Sequence, residues 1–224
     1  MCPDWHSGTL GLQLIEITLI LHVLDLISAA VFAVTVALVA SRKEMDIVGF
    51  LWLGVVTGIG GGTIRDLILG APVFWVINPT PIALCLAVSA FIHFTAHLVS
   101  SRYRLILYLD AFGMALVAIG GTAKGLDLGA GSLVSIVMGV ITAAVGGILR
   151  DLLGQEPSIL LRREIYVSAA AIGSILFVVL DSFSVDRTWS MGIGLAVSCL
   201  IRCLAIGRDW AFPVYRPRPG RGPF

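Results

Sequence analysis

The stretch Gly58–Asp66, GIGGGTIRD, places four glycines within five residues of an apolar run and follows them with an arginine and an aspartate. A glycine in a helix costs about 1 kcal/mol relative to alanine. A charge deep in a bilayer costs a few kcal/mol more unless it is paired or hydrated. A segment that accepts both has a use for a bare backbone and for opposite charges. The pattern returns at Val145–Asp151, VGGILRD.

Around these stretches the chain is apolar. Its 224 residues are 58% hydrophobic and 13% charged, half the charged share of an ordinary soluble domain, and mean hydropathy is +0.98. Spanning about 30 Å of hydrocarbon takes about 20 helical residues. Reading between charged and Pro/Gly-rich breaks predicts seven spans: Ile17–Ala40, Ile47–Leu69, Pro81–Val99, Leu105–Lys124, Ser132–Leu153, Ile165–Leu180 and Trp189–Ile206. The formal net charge of +1 gives no reason to expect nucleic acid as a partner. No metal-ligand set or cofactor fingerprint is expected, because neither glycine run ends in the Lys-Ser/Thr of a phosphate loop. Cys2, Cys85, Cys199 and Cys203 read as packing residues, and the His93/His97 pair reads as interfacial or packing. The start lacks the basic residues and cleavage site of a signal peptide, so the first apolar run is expected to stay as a span.

Lys and Arg gather in alternate loops: Arg42 and Lys43, Arg102 and Arg104, Arg162 and Arg163, then Arg208, Arg216, Arg218 and Arg221 in the tail. The positive-inside rule predicts an outside N-terminus and a cytoplasmic C-terminus. Trp75, Trp189 and Trp210 suit the interfacial belt.

Displacing the chain by 85 residues aligns the two glycine motifs, and nine of nineteen positions from Gly54 to Pro72 are identical. The same offset pairs Asp25 with Asp110 and Pro72 with Pro157. Three spans per unit is an odd number, so the second unit enters the membrane from the opposite side, an inverted repeat. The expected divisions are an outside segment 1–16, a first repeat 17–99, a second repeat 100–184, a seventh helix 185–207 and a basic, Pro-rich cytoplasmic tail 208–224. The fold class is therefore an all-α membrane protein of seven transmembrane helices, two inverted three-helix repeats plus one.

In such repeats the path runs where interrupted helices meet. The expected kinks fall in the second and fifth spans, at Gly58, Gly60, Gly61 and Gly62 and at Gly146 and Gly147; close helix packing is the competing use of small residues. Asp25 and Arg65 both lie roughly 10 Å from the outer surface, and Asp110 and Arg150 lie similarly near the inner one, at about 1.5 Å per residue. The expected pairs are Asp25 with Arg65 and Asp110 with Arg150. Asp66 and Asp151 remain beside the path, to draw cations or to brace the arginines. Lys124, whose counterpart is Val39, breaks the symmetry at the outer mouth, as a snorkelling or a gating charge. Ala29, Ala33 and Ala37 form a small-residue series suited to tight helix contact.

Gly-Gly-x-x-x-Arg-Asp in both halves of a three-plus-three-plus-one arrangement resembles the prokaryotic trimeric intracellular cation (TRIC) channels, also described as the UPF0126 or bacterial glycine-transporter type. The resemblance covers about Ile17–Ile206. It implies a homotrimer in the inner membrane of a prokaryotic cell, in contact with membrane lipids. Each subunit would have its own hourglass pore between the kinked helices, conducting monovalent cations such as K⁺, with Arg65, Asp66, Arg150 and Asp151 in or beside it. Val145 stands where the first repeat has Gly60, which implies unequal halves. Because an internal arginine opposes cations and suits a carboxylate, transport of glycine or another small amino acid is the alternative. No enzyme pattern of nucleophile, paired aspartates or metal ligands is present on facing spans.

Overall fold

The computed structural model describes residues 5–98, 102–155 and 165–211, with side chains from Thr18 onward. The described residues contain no β-strand. Their helices are α1 (Trp5–Arg42), α2 (Ile47–Ile68), α3 (Phe74–Ile77), α4 (Thr80–Thr95), α5 (Arg102–Asp127), α6 (Ser132–Leu153), α7 (Val167–Ser182) and α8 (Arg187–Gly207). A 3₁₀ turn over Ala96–Leu98 extends α4. Helices are the form an apolar segment takes in lipid, since every backbone group is then satisfied within the segment.

Among the described residues, six helices are long and apolar enough to cross a membrane. The chain is an integral membrane protein by that measure. The expected sixth span, Ile165–Leu180, is α7, which has 16 residues and is about 24 Å long, short of the others. Helix α1 begins at Trp5, twelve residues before the expected start of its span at Ile17, and the apolar span within it is Thr18–Arg42. Helix α3 was not expected. Cys2, Val99, Pro157, Arg162, Arg163, Arg216, Arg218, Arg221 and the side chain of Arg102 lie outside the described residues.

Helix ends follow local chemistry. Asp46 caps α2 by accepting from Gly49 N at 2.8 Å, and Asp186 caps α8 by accepting from Thr188 and Trp189 N. Helix α2 ends at Ile68, four residues before Pro72. Gly70 adopts φ +65°, with Gly70 N donating to Leu67 O and Ala71 N to Asp66 O, a left-handed closure that glycine accepts without penalty.

Helices α1 and α5 are the central elements. Helix α1 packs on α2, α4 and α5; α5 packs on α1, α6, α7 and α8. The alanine series Ala29, Ala33 and Ala37 is fully buried and lets α1 sit in this position. Placement at the centre buries Asp110 of α5 and partly buries Asp25 of α1. His93 sits edge-on to Phe50 at 4.7 Å, in a packing role.

Candidate functional site: two charge clusters at opposite ends of the bundle

Helix α2 runs as continuous helix through Gly58–Gly62, and α6 does so through Gly146–Gly147. Each glycine of the motif touches another element. A Cβ on Gly61 would stand 2.6 Å from the Thr142 carbonyl oxygen on α6. One on Gly58 would meet Cys85 Sγ at 2.5 Å and Ala29 O at 2.9 Å; one on Gly60 would collide with the Leu149 side chain; one on Gly62 would meet Phe74 at 2.7 Å. On α6, Gly146 faces the Phe32 ring, 3.1 Å from where its Cβ would be. Gly147 is buried in the same helix. The bare backbone brings α2 against α1, α4 and α6, so the residues after the glycines reach the central helices.

Arg65 is the first of these. Its Nη1 and Nη2 donate to Asp25 Oδ1 and Oδ2 at 2.9 and 3.1 Å, a two-pronged contact, and its Nε donates to Asp66 Oδ1 at 2.8 Å. A planar guanidinium matches a carboxylate in this way where an ammonium does not. Asp66 is fully buried and has three contacts: Arg65, Lys124 Nζ at 2.8 Å and the Phe74 backbone N–H at 3.0 Å. Helix α3 thus closes over the cluster, with the Phe74 ring 5.8 Å from the Arg65 guanidinium and Trp75 Nε1 donating to Thr63 Oγ1 at 2.8 Å.

The second cluster repeats the first with changes. Arg150 Nη1 donates to Asp110 Oδ1, forty residues earlier in the chain, the same separation as Asp25 and Arg65. Its Nη2 and Nε both turn to Asp151 Oδ1, at 2.8 and 3.0 Å. Asp110 is therefore held at one oxygen by Arg150, and among the described residues its buried Oδ2 has no hydrogen-bond partner. Asp110 and Lys124 sit fourteen residues apart on α5, about 21 Å along its axis, which puts the clusters at opposite ends of the bundle.

Two further cations lie outside the doubled motif. Lys124 was singled out in the sequence for its unmatched charge, and the structure gives it Asp66 as partner. Arg202, on α8, was not singled out. It is 1% exposed and lies 5.2 Å from the Tyr166 ring. An arginine inside an otherwise apolar helix is itself the signal that would have found it. A third pair, Arg187 with Asp127 at 2.5 Å, joins α8 to α5 near the Lys124 end. Cys85 is a buried free thiol, and Cys199 and Cys203 adjoin each other, Sγ to Sγ 3.9 Å.

These features define a polytopic membrane protein with a pair of charge clusters carried by a duplicated sequence. A family model described as glycine transporter matches residues 22–97 and again 107–182, a displacement of 107 − 22 = 85 residues. The chain belongs to this family, the bacterial TRIC/UPF0126 proteins. The UPF0126 inner membrane protein YadS of Escherichia coli K12 is 39% identical over 203 residues, covering 88% of this chain and 97% of YadS. A TRIC trimeric intracellular cation channel orthologue from Rhodobacter sphaeroides has a TM-score of 0.82 at 51% identity, over 85% of this chain and 98% of that one. A prokaryotic TRIC channel superposes with a TM-score of 0.80 at 26% identity, over 86% of this chain and 98% of that one.

Proposed function

We propose that the protein is a homotrimeric channel for monovalent cations, K⁺ first among them, with one pore in each subunit. The observation that carries this reading is the 51% identity to the Rhodobacter sphaeroides cation channel across nearly all of that protein. In this reading the chain has two inverted three-helix repeats, α1, α2 and α4 followed by α5, α6 and α7, with α8 as a seventh span. The N-terminus is outside, the C-terminus is in the cytoplasm, and the trimer sits among the lipids of the inner membrane. The path runs between α2 and α6, which bend at Gly58, Gly60, Gly61 and Gly62 and at Gly146 and Gly147. Arg65, Asp66, Arg150 and Asp151 flank it, with Asp25 and Asp110 as the arginines' partners and Lys124 as a gating charge.

The paired geometry also answers the objection that an internal arginine repels cations. Arg65 spends all three of its nitrogens on Asp25 and Asp66, and Arg150 spends its own on Asp110 and Asp151. A guanidinium engaged in this way presents little net positive field to a passing ion and has no fork left for a substrate carboxylate. That favours conduction over clasping an amino acid.

Purified protein in planar bilayers tests this. Unitary K⁺ currents, too fast for a carrier that must change conformation each cycle, are the expected result. Absence of current together with saturable glycine uptake into liposomes would overturn it.

A further inference from the structure

Helix α1 carries a histidine, His22, one turn before Asp25. It is partly buried, and its Nε2 lies 3.4 Å from Nδ2 of Asn78, the residue that ends α3 and precedes α4. Two side-chain tethers hold α3 to α2: the Phe74 N–H donates to Asp66 Oδ2, and Trp75 Nε1 donates to Thr63 Oγ1. The Asn78–His22 contact is a third, and it reaches α1 instead.

The direction of that hydrogen bond is set by its surroundings. The Thr80 backbone N–H, which can only donate, lies 3.0 Å from Asn78 Oδ1, and Thr80 Oγ1 is 2.5 Å from the same oxygen. The amide therefore turns its NH₂ toward His22. An amide NH₂ only donates, so His22 Nε2 must accept, which requires a neutral imidazole with its proton on Nδ1. An imidazolium carries N–H groups on both nitrogens, and its Nε2–H would meet the Asn78 NH₂ donor to donor.

We propose that His22 is a proton-operated latch on α3. Neutral, it pins the segment between α3 and α4 and keeps α3 over the Asp25–Arg65–Asp66–Lys124 cluster; protonated, it lets the segment go and opens the mouth of the path at that end. The effect on current rests on the channel reading above, whereas the latch itself does not.

The charges around His22 favour release. They are Asp25 on α1, Arg65 and Asp66 on α2, and Lys124 and Asp127 on α5. Ile20, Leu21 and Leu24 pack this part of α1 near Phe177 and Met191, so Asp181 of α7 and Arg187 of α8 belong to the same end. Helix α3 brings no titratable group, and α4 brings Cys85 and, at its far end, His93. Asp25, Asp66 and Asp127 are each already in an ion pair. An imidazolium therefore gains most by turning to water, away from α3. Helix α3 is also poorly held without its tethers, since it has four residues, none buried, and a single turn does not persist alone.

The test compares the full-length parent protein with His22→Gln and His22→Leu. The glutamine carbonyl accepts from Asn78 and stays uncharged, so the latch remains shut; leucine offers no acceptor, so it remains open. Hydrogen exchange of the Phe74–Ile77 amides in detergent, compared among the three proteins at the same pH, reads the latch without any current. Histidine changes charge between about pH 5 and 8. At about pH 7.5 the parent is expected to exchange like His22→Gln, and at about pH 5.5 like His22→Leu, at least about twofold faster than His22→Gln, the weight of one modest hydrogen bond. In planar bilayers, acidifying the α3 side over the same range is expected to raise the parent's open probability about twofold or more, with both variants flat. Equal exchange in parent and His22→Gln at both pH values overturns the proposal. So does a His22→Gln protein that keeps the parent's pH response, or an exchange that responds to pH while the current does not. If His22→Leu fails to fold, the comparison of parent with His22→Gln decides alone. If no protein carries current, the channel reading fails by itself, and the exchange rates still decide the latch.

Discussion

Lys124 Nζ lies 2.8 Å from Asp66 Oδ1, so a lysine on α5 closes a carboxylate on α2 that Arg65 and the Phe74 amide also hold. The contact joins the two halves of the duplicated chain. Asp66 keeps two other partners when the lysine leaves, which makes Lys124 the replaceable member of the cluster.

Lys124→Gln is therefore expected to fold and to change conduction. Removing a unit charge about 10 Å from a path, at an effective dielectric near 20, alters the local energy of a cation by order 1–2 kcal/mol, or roughly five- to thirtyfold in occupancy. Single-channel recording in dilute KCl should show larger cation currents and weaker voltage dependence. Unchanged currents would assign Lys124 to snorkelling alone.

Arg65→Met and Asp25→Asn separate a buried pair from its partner, and each is expected to lose about 3–5 kcal/mol. In the double variant Asp66 still has Lys124 and the Phe74 N–H, so most of that loss should return. Thermal unfolding in detergent compares the three. A double variant no more stable than the singles would show that the pair does not act as a unit.

Gly61→Ala drives a methyl to within 2.6 Å of the Thr142 backbone oxygen, where the neighbour is another helix's main chain. Overpacking of this kind costs about 1–3 kcal/mol. Gly192 on α8 has open space around its Cβ position, so Gly192→Ala is expected to be neutral or to stabilise by up to about 1 kcal/mol from helix propensity. Equal effects at the two sites would mean that the α2–α6 contact is looser than its distances.

Phe74→Ala removes the ring that lies over Arg65 and against Gly62 while leaving the backbone N–H that holds Asp66. Lost burial of a partly covered aromatic, about 1–3 kcal/mol, should lower the melting temperature. If α3 obstructs the path at this end, unitary conductance rises in the same variant. A stability loss with unchanged conductance would make α3 a support only.

Much of this arrangement is legible in the chain. The apolar runs locate the long helices, with Ser132–Leu153 matching α6 at both ends. The 85-residue offset relates Arg65 to Arg150 and Asp25 to Asp110, and the scarcity of charge in apolar helices makes each aspartate the natural partner for its arginine. Lipid solvation enforces these features along the chain itself, one helix at a time.

What the chain could not disclose is which faces meet. The helices are apolar on most sides, so hydropathy carries little information about their rotation, and interhelical contacts depend on that rotation. For this reason Lys124 reaches Asp66, Arg202 packs on Tyr166, and α3 folds over the first cluster only once the bundle is assembled. The glycines of GIGGGTIRD illustrate the division. Their number and spacing are a property of the sequence; that each one makes room for a particular neighbour, from Thr142 to Phe74, was decided by tertiary packing, because a missing side chain acquires meaning only from the atom that fills its place.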